Sequence, residues 1–171
     1  MMGSTLKKAV QRLGIVAATS GAIAGVSLAA SPVAQAATHI SYVSSNCGGL
    51  SSCPDDALDL KYNSNLSGAN FVWEGNNVDY AGYENTCGLD TCRTIYVFEA
   101  GTGGAANGAG QAVKNNAAGA CTYSTTHAYY VYYNSFYMGH SQKFDNRGTS
   151  YGCSDFDSTL HNNNASQKEV S

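Results

Sequence analysis

The sequence predicts an all-β protein, built from two related units in tandem and braced by disulfides. Three observations carry that prediction. Tyr62-Asn63-Ser64 with Gly68 recurs as Tyr133-Asn134-Ser135 with Gly139, each position offset by 71 residues. Each copy is followed by an asparagine run leading into small residues, Asn115-Asn116-Ala117-Ala118 and Asn163-Asn164-Ala165-Ser166, and a repeated order of elements marks repeated structural units. Aromatic and β-branched residues come in short runs bounded by Gly, Asn, Ser and Asp, which is strand-and-turn composition.

The N-terminus reads as an export signal. Lys7, Lys8 and Arg12 precede an uncharged stretch from Leu13 to Ala30, and Ala34-Gln35-Ala36 supplies a small-x-small cleavage pattern. The expected organisation is a signal peptide over 1–36, a lead-in over 37–45, and a domain over 46–168 whose units span about 46–120 and 121–168. The product is expected to be secreted, extracellular and monomeric. Beyond residue 36 the chain keeps 6 of its 9 basic residues against all 12 acidic ones. An acidic chain without a basic cluster argues against nucleic acid and against anionic membrane as partners.

Six cysteines follow the signal: Cys47, Cys53, Cys87, Cys92, Cys121 and Cys153. An even number in an exported chain implies disulfides. Their spacing leaves every connectivity open; the preferred one is Cys47–Cys53, Cys87–Cys92 and Cys121–Cys153, with the first two closing short loops. Zinc is disfavoured because there is no Cys-x-x-Cys pair and His39, His127, His140 and His161 are scattered.

In chain order, strands are expected at Ala57–Tyr62, Asn70–Trp73, Thr94–Glu99, Gln111–Lys114, Tyr129–Tyr133, Ser141–Phe144 and Ser158–Leu160, none longer than six residues. Tyr129-Tyr130-Val131-Tyr132-Tyr133 is the clearest of them. Alternation places Tyr129, Val131 and Tyr133 on one face and Tyr130 and Tyr132 on the other. Trp73 reads as a core or loop anchor. Gly101–Gly110 lacks the Gly-Lys-Ser/Thr ending of a phosphate loop and reads as a mobile connection. The first unit is longer, and its extra residues are placed between Gly68 and Thr94. There Cys87-Gly88-Leu89-Asp90-Thr91-Cys92 would form a stapled surface loop. The tail after Ser166 is expected to fray.

Catalytic patterns are absent: there is no Gly-x-Ser-x-Gly and no His-Glu-x-x-His. Asp55, Asp56 and Asp59 read as a solvated cluster at a turn, and Asp155 and Asp157 as outward-pointing. The chain is not expected to be an enzyme or to carry a cofactor.

Two short β units, each with an aromatic strand and a turn glycine, resemble the βγ-crystallin double Greek-key sandwich. In that family an aromatic precedes the turn glycine by seven positions; Tyr132 fits relative to Gly139, whereas Lys61 stands at that place before Gly68. With a signal, disulfides, the aromatic-Tyr-Asn-Ser turn and the Asn-Asn-Asn-Ala-Ser ending, the chain is similar to the streptomycete metalloproteinase-inhibitor family. That resemblance implies an inhibitor docking a rigid loop into the cleft of a secreted protease, with Gly88, Leu89, Asp90 and Thr91 as the candidate contact loop. The alternative is a secreted βγ-crystallin-type binding module for calcium, a glycan or a cell envelope, with an antimicrobial role. The resemblance also implies calcium sites of pattern two Asn/Asp, two free positions, then Ser/Thr and Ser. Asn162-Asn163-Asn164-Ala165-Ser166-Gln167 approaches it, with Asn162, Asn163 and Ser166 as candidate ligands.

Overall fold

A computed structural model describes residues 36–48, 53, 55–101, 106–148 and 152–171. The export signal and Pro54 lie outside the described residues. The folded unit spans Gln35–Ser171.

Among the described residues ten strands form three sheets: β1 (Thr38–Val43), β2 (Leu58–Asn63), β3 (Ser67–Trp73), β4 (Tyr83–Cys87), β5 (Asp90–Tyr96), β6 (Gly119–Thr122), β7 (Ala128–Asn134), β8 (Met138–Asp145), β9 (Cys153–Asp155) and β10 (Ser166–Val170). No α-helix occurs among the described residues. The first large sheet runs β3-β2-β6-β9 and the second β10-β7-β8. The second is extended by a segment of the first unit, because Asn77 and Gln167 exchange both backbone bonds (3.0 and 2.9 Å) and Tyr80 N donates to Ala165 O (2.8 Å). Each unit therefore lends one extended segment to the other's sheet: β9 passes to the first sheet, and 77–80 passes to the second.

The repeat seen in the sequence is a repeat of backbone. Asn65 and Leu66 have φ of 58° and 53°, and Phe136 and Tyr137 have 61° and 63°. Both pairs turn the chain between the hairpin strands β2–β3 and β7–β8. Gly68 and Gly139 follow at φ 83° and 80°. A Cβ on either would meet the side chain of Asn63 or Asn134 at 2.7 or 2.9 Å, so the hairpin admits only glycine there. The asparagine runs align one residue earlier than the sequence suggested. Asn115 and Asn162 are the left-handed pair, at φ 62° and 59°. Asn116 and Asn163 each donate their side-chain amide to carbonyls two and four residues back. The two runs also clasp each other: Asn115 N donates to Asn164 O (2.8 Å), and Asn162 N donates to Ala117 O (2.9 Å).

One core serves both units. Leu58, Leu60, Phe71, Tyr80, Phe98 and Val113 from the first pack with Tyr129, Val131, Phe144 and Leu160 from the second. Each such side chain stabilises the fold by roughly 1.5–3 kcal/mol through removal from water. Tyr129 and Val131 share one face, as expected, and it points inward, but a register shift between Tyr132 and Asn134 turns Tyr133 outward. Trp73 is half-buried, stacks on Phe71 and donates its indole N–H to Asn76 O.

The cysteines pair as Cys47–Cys53, Cys87–Cys92 and Cys121–Cys153. The third joins directly opposed residues of β6 and β9 and so fastens β9 into the first sheet.

Several expectations are corrected. Gln111–Lys114 forms a single bridge at Ala112, and Ser158–Leu160 is a turn. Strands β3, β5, β7 and β8 exceed six residues. The tail does not fray: β10 pairs with β7, and Ser166 and Gln167 are fully buried. Within the glycine-rich connection, 102–105 lie outside the described residues, while 106–110 form a bonded turn. There Asn107 O accepts from Ala69 N, and Gly110 N donates to Phe98 O. Asp59 is not solvated; its side chain is 17% exposed and pairs with Lys61.

The extra residues of the first unit form a separate three-stranded sheet, β1-β5-β4, with β1 parallel to β5. Residues 37–45, read as a lead-in, contain β1. Gly82 (φ 91°) opens this insertion against the β5 backbone, where a Cβ would meet Thr94 O at 2.0 Å.

Candidate functional site

Because the two units share their turns, the molecule carries two equivalent clefts, of about 180 and 230 Å³. Lys114, Asn115, Tyr133, Asn134, Ser135 and Asn163 line the first, together with Ala165. Tyr62, Asn63, Ser64, Asn116, His161 and Asn162 line the second, together with Ala118. Each is built from the Tyr-Asn-Ser turn of one unit and the asparagine runs of both. In each, a basic residue directly before the asparagine pair reaches the serine of that turn. Lys114 Nζ donates to Ser135 Oγ (2.8 Å) and pairs with Asp79 Oδ1 (2.9 Å). His161 Nε2 lies 3.0 Å from Ser64 Oγ. Burial pushes the Asp79 carboxyl up, but the Ala81 N–H, Lys114 and Ser135 outweigh it and hold the group below its usual value.

These clefts decide how the chain stands towards calcium, which requires six or more oxygen ligands and is held best by carboxylates. The first does not fit, because its lining holds no carboxylate and carries the Lys114 ammonium. The residues lining the second offer neutral amide, hydroxyl and carbonyl oxygens with an imidazole and no carboxylate. The predicted ligands are split between the two. Asn162 lines the second cleft and Asn163 the first. Ser166 Oγ is buried, donating to Asn134 O (2.8 Å) and accepting from Tyr137 N (3.1 Å). Among the described residues no group of three or more His, Cys, Asp and Glu is placed to hold a metal ion. Sequence reasoning missed Lys114 and His161. Their signal was present, since Lys-Asn-Asn and His-Asn-Asn recur 47 residues apart.

The predicted contact loop divides into tip and base. Gly88 and Leu89 are the turn between β4 and β5, and Asp90 and Thr91 already belong to β5. Gly88 has φ 69°, as a tight hairpin turn demands. Leu89 is 94% exposed. Behind it the Cys87–Cys92 bridge closes the hairpin. Asp90 fastens β1 alongside, accepting from Ala37 N and pairing with His39 Nε2, both at 2.9 Å. His39 first and the Ala37 N–H second hold the Asp90 carboxyl below its usual value. The same sheet exposes Ile40, Tyr42 and Tyr83. Asp155 and Asp157, expected to point outward, serve structure. Asp155 accepts from Asn65 N and Leu66 N, while Asp157 accepts from Thr159 N and Leu160 N and pairs with His140 at 2.6 Å.

Two antiparallel sheets, each completed by a segment from the other unit, define a disulfide-braced double Greek-key sandwich of the βγ-crystallin kind. No family model matches the chain, and no curated protein does. A solved structure described as "Evolution of the eye lens beta-gamma-crystallin domain fold" is similar at 12% identity and a TM-score of 0.44, over 72% of this chain and 94% of that one.

Proposed function

We propose that the protein is an exported peptidase inhibitor of the metalloproteinase-inhibitor kind, which docks the β4–β5 hairpin tip in a protease cleft. The observation that carries this reading is Leu89, an apolar side chain 94% exposed at the apex of a disulfide-closed turn. Apolar side chains of this size on a rigid tip fill a specificity pocket at little entropic cost, since the staple and the parallel β1 strand have already ordered the backbone. The three disulfides agree with an oxidising, extracellular setting. The test is titration of thermolysin-like and subtilisin-like proteases with the purified protein. Stoichiometric inhibition of one class is expected, with Leu89→Asp weakening it at least tenfold while the thermal midpoint stays put. Inhibition unchanged in Leu89→Asp eliminates the tip.

The twin clefts favour a second reading. Their Asn, Ser and Tyr linings present hydroxyl and amide groups of the sort that recognise a glycan. On this reading the protein is a cell-envelope binding module. Retention on cell-wall polysaccharide without protease inhibition would select it.

A further inference from the structure

The outward face of β2 carries a charged pair that neither the clefts nor the hairpin tip uses. Leu58 and Leu60 point into the core, so Asp59 and Lys61 share the opposite face. Lys61 stands directly across from Asn70 of β3, and Asp59 directly across from Val72 of β3 and Cys121 of β6. Opposed residues lie on one face, so Val72 and the Cys121–Cys153 bridge flank the carboxylate. Val72 and Cys121 are 6% and 2% exposed. This face is therefore dry where a sheet's outer face is normally wet, and the side chains of Lys61 and Asp59 are only 13% and 17% exposed. Lys61 Nζ lies 2.6 Å from Asp59 Oδ2 and 3.1 Å from Asn70 Oδ1. The other carboxylate oxygen, Asp59 Oδ1, is buried without a hydrogen-bond partner.

Such an ion pair is poorly placed. Burial pushes the Asp59 carboxyl up in spite of the neighbouring ammonium. A proton passed from Lys61 to Asp59 along their 2.6 Å contact leaves an amine and an acid side by side. A neutral amine held against a carboxamide, with an acid touching it, is arranged for acyl transfer.

We propose that Lys61 and Asn70 join in an intramolecular isopeptide bond, with Asp59 as its general acid and base. Lys61 Nζ attacks Cγ of Asn70, and the Nζ–Cγ bond forms. Asp59 gives its proton to the departing nitrogen, the Cγ–Nδ2 bond breaks, and ammonia leaves. The carboxylate then takes the surplus proton from Nζ and is an acid again. Nothing is oxidised or reduced. The product exchanges a buried ion pair for a neutral amide stapling β2 to β3. The second unit has no counterpart, since the equivalent positions are Tyr130, Tyr132 and Ser141.

The test is the intact mass of the purified protein after reduction and alkylation. The mass should be that of the sequence from its observed N-terminus less one ammonia. Trypsin should fail to cut after Lys61. Chymotryptic fragments holding Lys61 and Asn70 should be found joined by tandem mass spectrometry. Lys61→Arg and Asp59→Asn should each restore the full mass. The proposal is overturned by a folded, disulfide-bonded protein of full mass that trypsin cuts after Lys61 once denatured. A deficit that survives in Lys61→Arg also overturns it, because the ammonia has then come from elsewhere.

Discussion

Asp59 and Lys61 in the first unit occupy the places that Tyr130 and Tyr132 occupy in the second. In the second unit Tyr132 lies against Tyr137 of the hairpin turn, with ring centroids 5.9 Å apart, and packs beside Tyr130 at 6.3 Å. Tyr132 stands seven residues before the turn glycine Gly139. In the first unit the same backbone turn forms without it, because Lys61 bends towards Asp59 and Asn70. The comparison separates what the turn needs from what it tolerates. The positive-φ pair, the glycine and the inward Leu or Val are common to both units, whereas the outward strand positions are free to carry chemistry.

The largest test of that comparison lies at the junction of the units. Asn164 is fully buried; its Oδ1 accepts from Ala117 N (2.9 Å) and its Nδ2 donates to Val113 O (3.1 Å). Its counterpart Ala117 has no such groups, so one residue clasps both asparagine runs. Asn164→Ala strands two buried backbone groups and should cost about 2–4 kcal/mol in chemical denaturation. Ala117→Ser, at the equivalent place, should change far less.

A smaller effect is expected at the clefts. Lys114→Gln removes the tethered ammonium from the first cleft and frees Asp79 Oδ1 and Ser135 Oγ, so calcium affinity measured by calorimetry should rise about tenfold. His161→Gln uncovers no carboxylate and should leave it unchanged. Equal responses would mean that the clefts are not distinguished by their built-in cations.

The smallest effect concerns Tyr129, which stands where the first unit has Leu58. Burial first, and the nearby carboxylates after it, push its hydroxyl up to about 12. A folded value raised above tyrosine's ordinary value of about 10 gives stability that is complete below about pH 10 and fades as the pH climbs towards about 12. Tyr129→Phe should lose about 1 kcal/mol near neutrality with its bond to Asp56 O, and the gap to wild type should close in alkaline solution. A gap that stays constant would deny that this hydroxyl titrates in the folded protein.

The fold was legible wherever local chemistry dictates it. The 71-residue repeat marked the two hairpins because their turns admit few residues; β2 and β7 were found within a residue, whereas β3, β5 and β8 begin three or four residues before the expected starts. The strands that escaped are β1, β4, β6, β9 and β10, and the last three are short and made of small or polar residues: Gly-Ala-Cys-Thr, Cys-Ser-Asp and Ser-Gln-Lys-Glu-Val. They are strands because neighbouring strands supply their partners, which no local window reveals. The clefts escaped for a related reason. Lys114 and Ser135, or His161 and Ser64, become a pair only after the two units interlock. The stapled hairpin was readable because its cysteines lie close in sequence, but Asp90 and Thr91 are strand residues through their pairing with Cys87 and Thr86 of β4, with β1 a second partner for Thr91.

The strand at 166–170 has a consequence for biogenesis. Gln167 receives the Tyr80 hydroxyl (2.9 Å) and gives its amide to Trp73 O and Gly75 O. Before residues 166–170 are in place, the second sheet has an open edge and these three polar groups lack partners, so the sandwich can close only once this strand has been made.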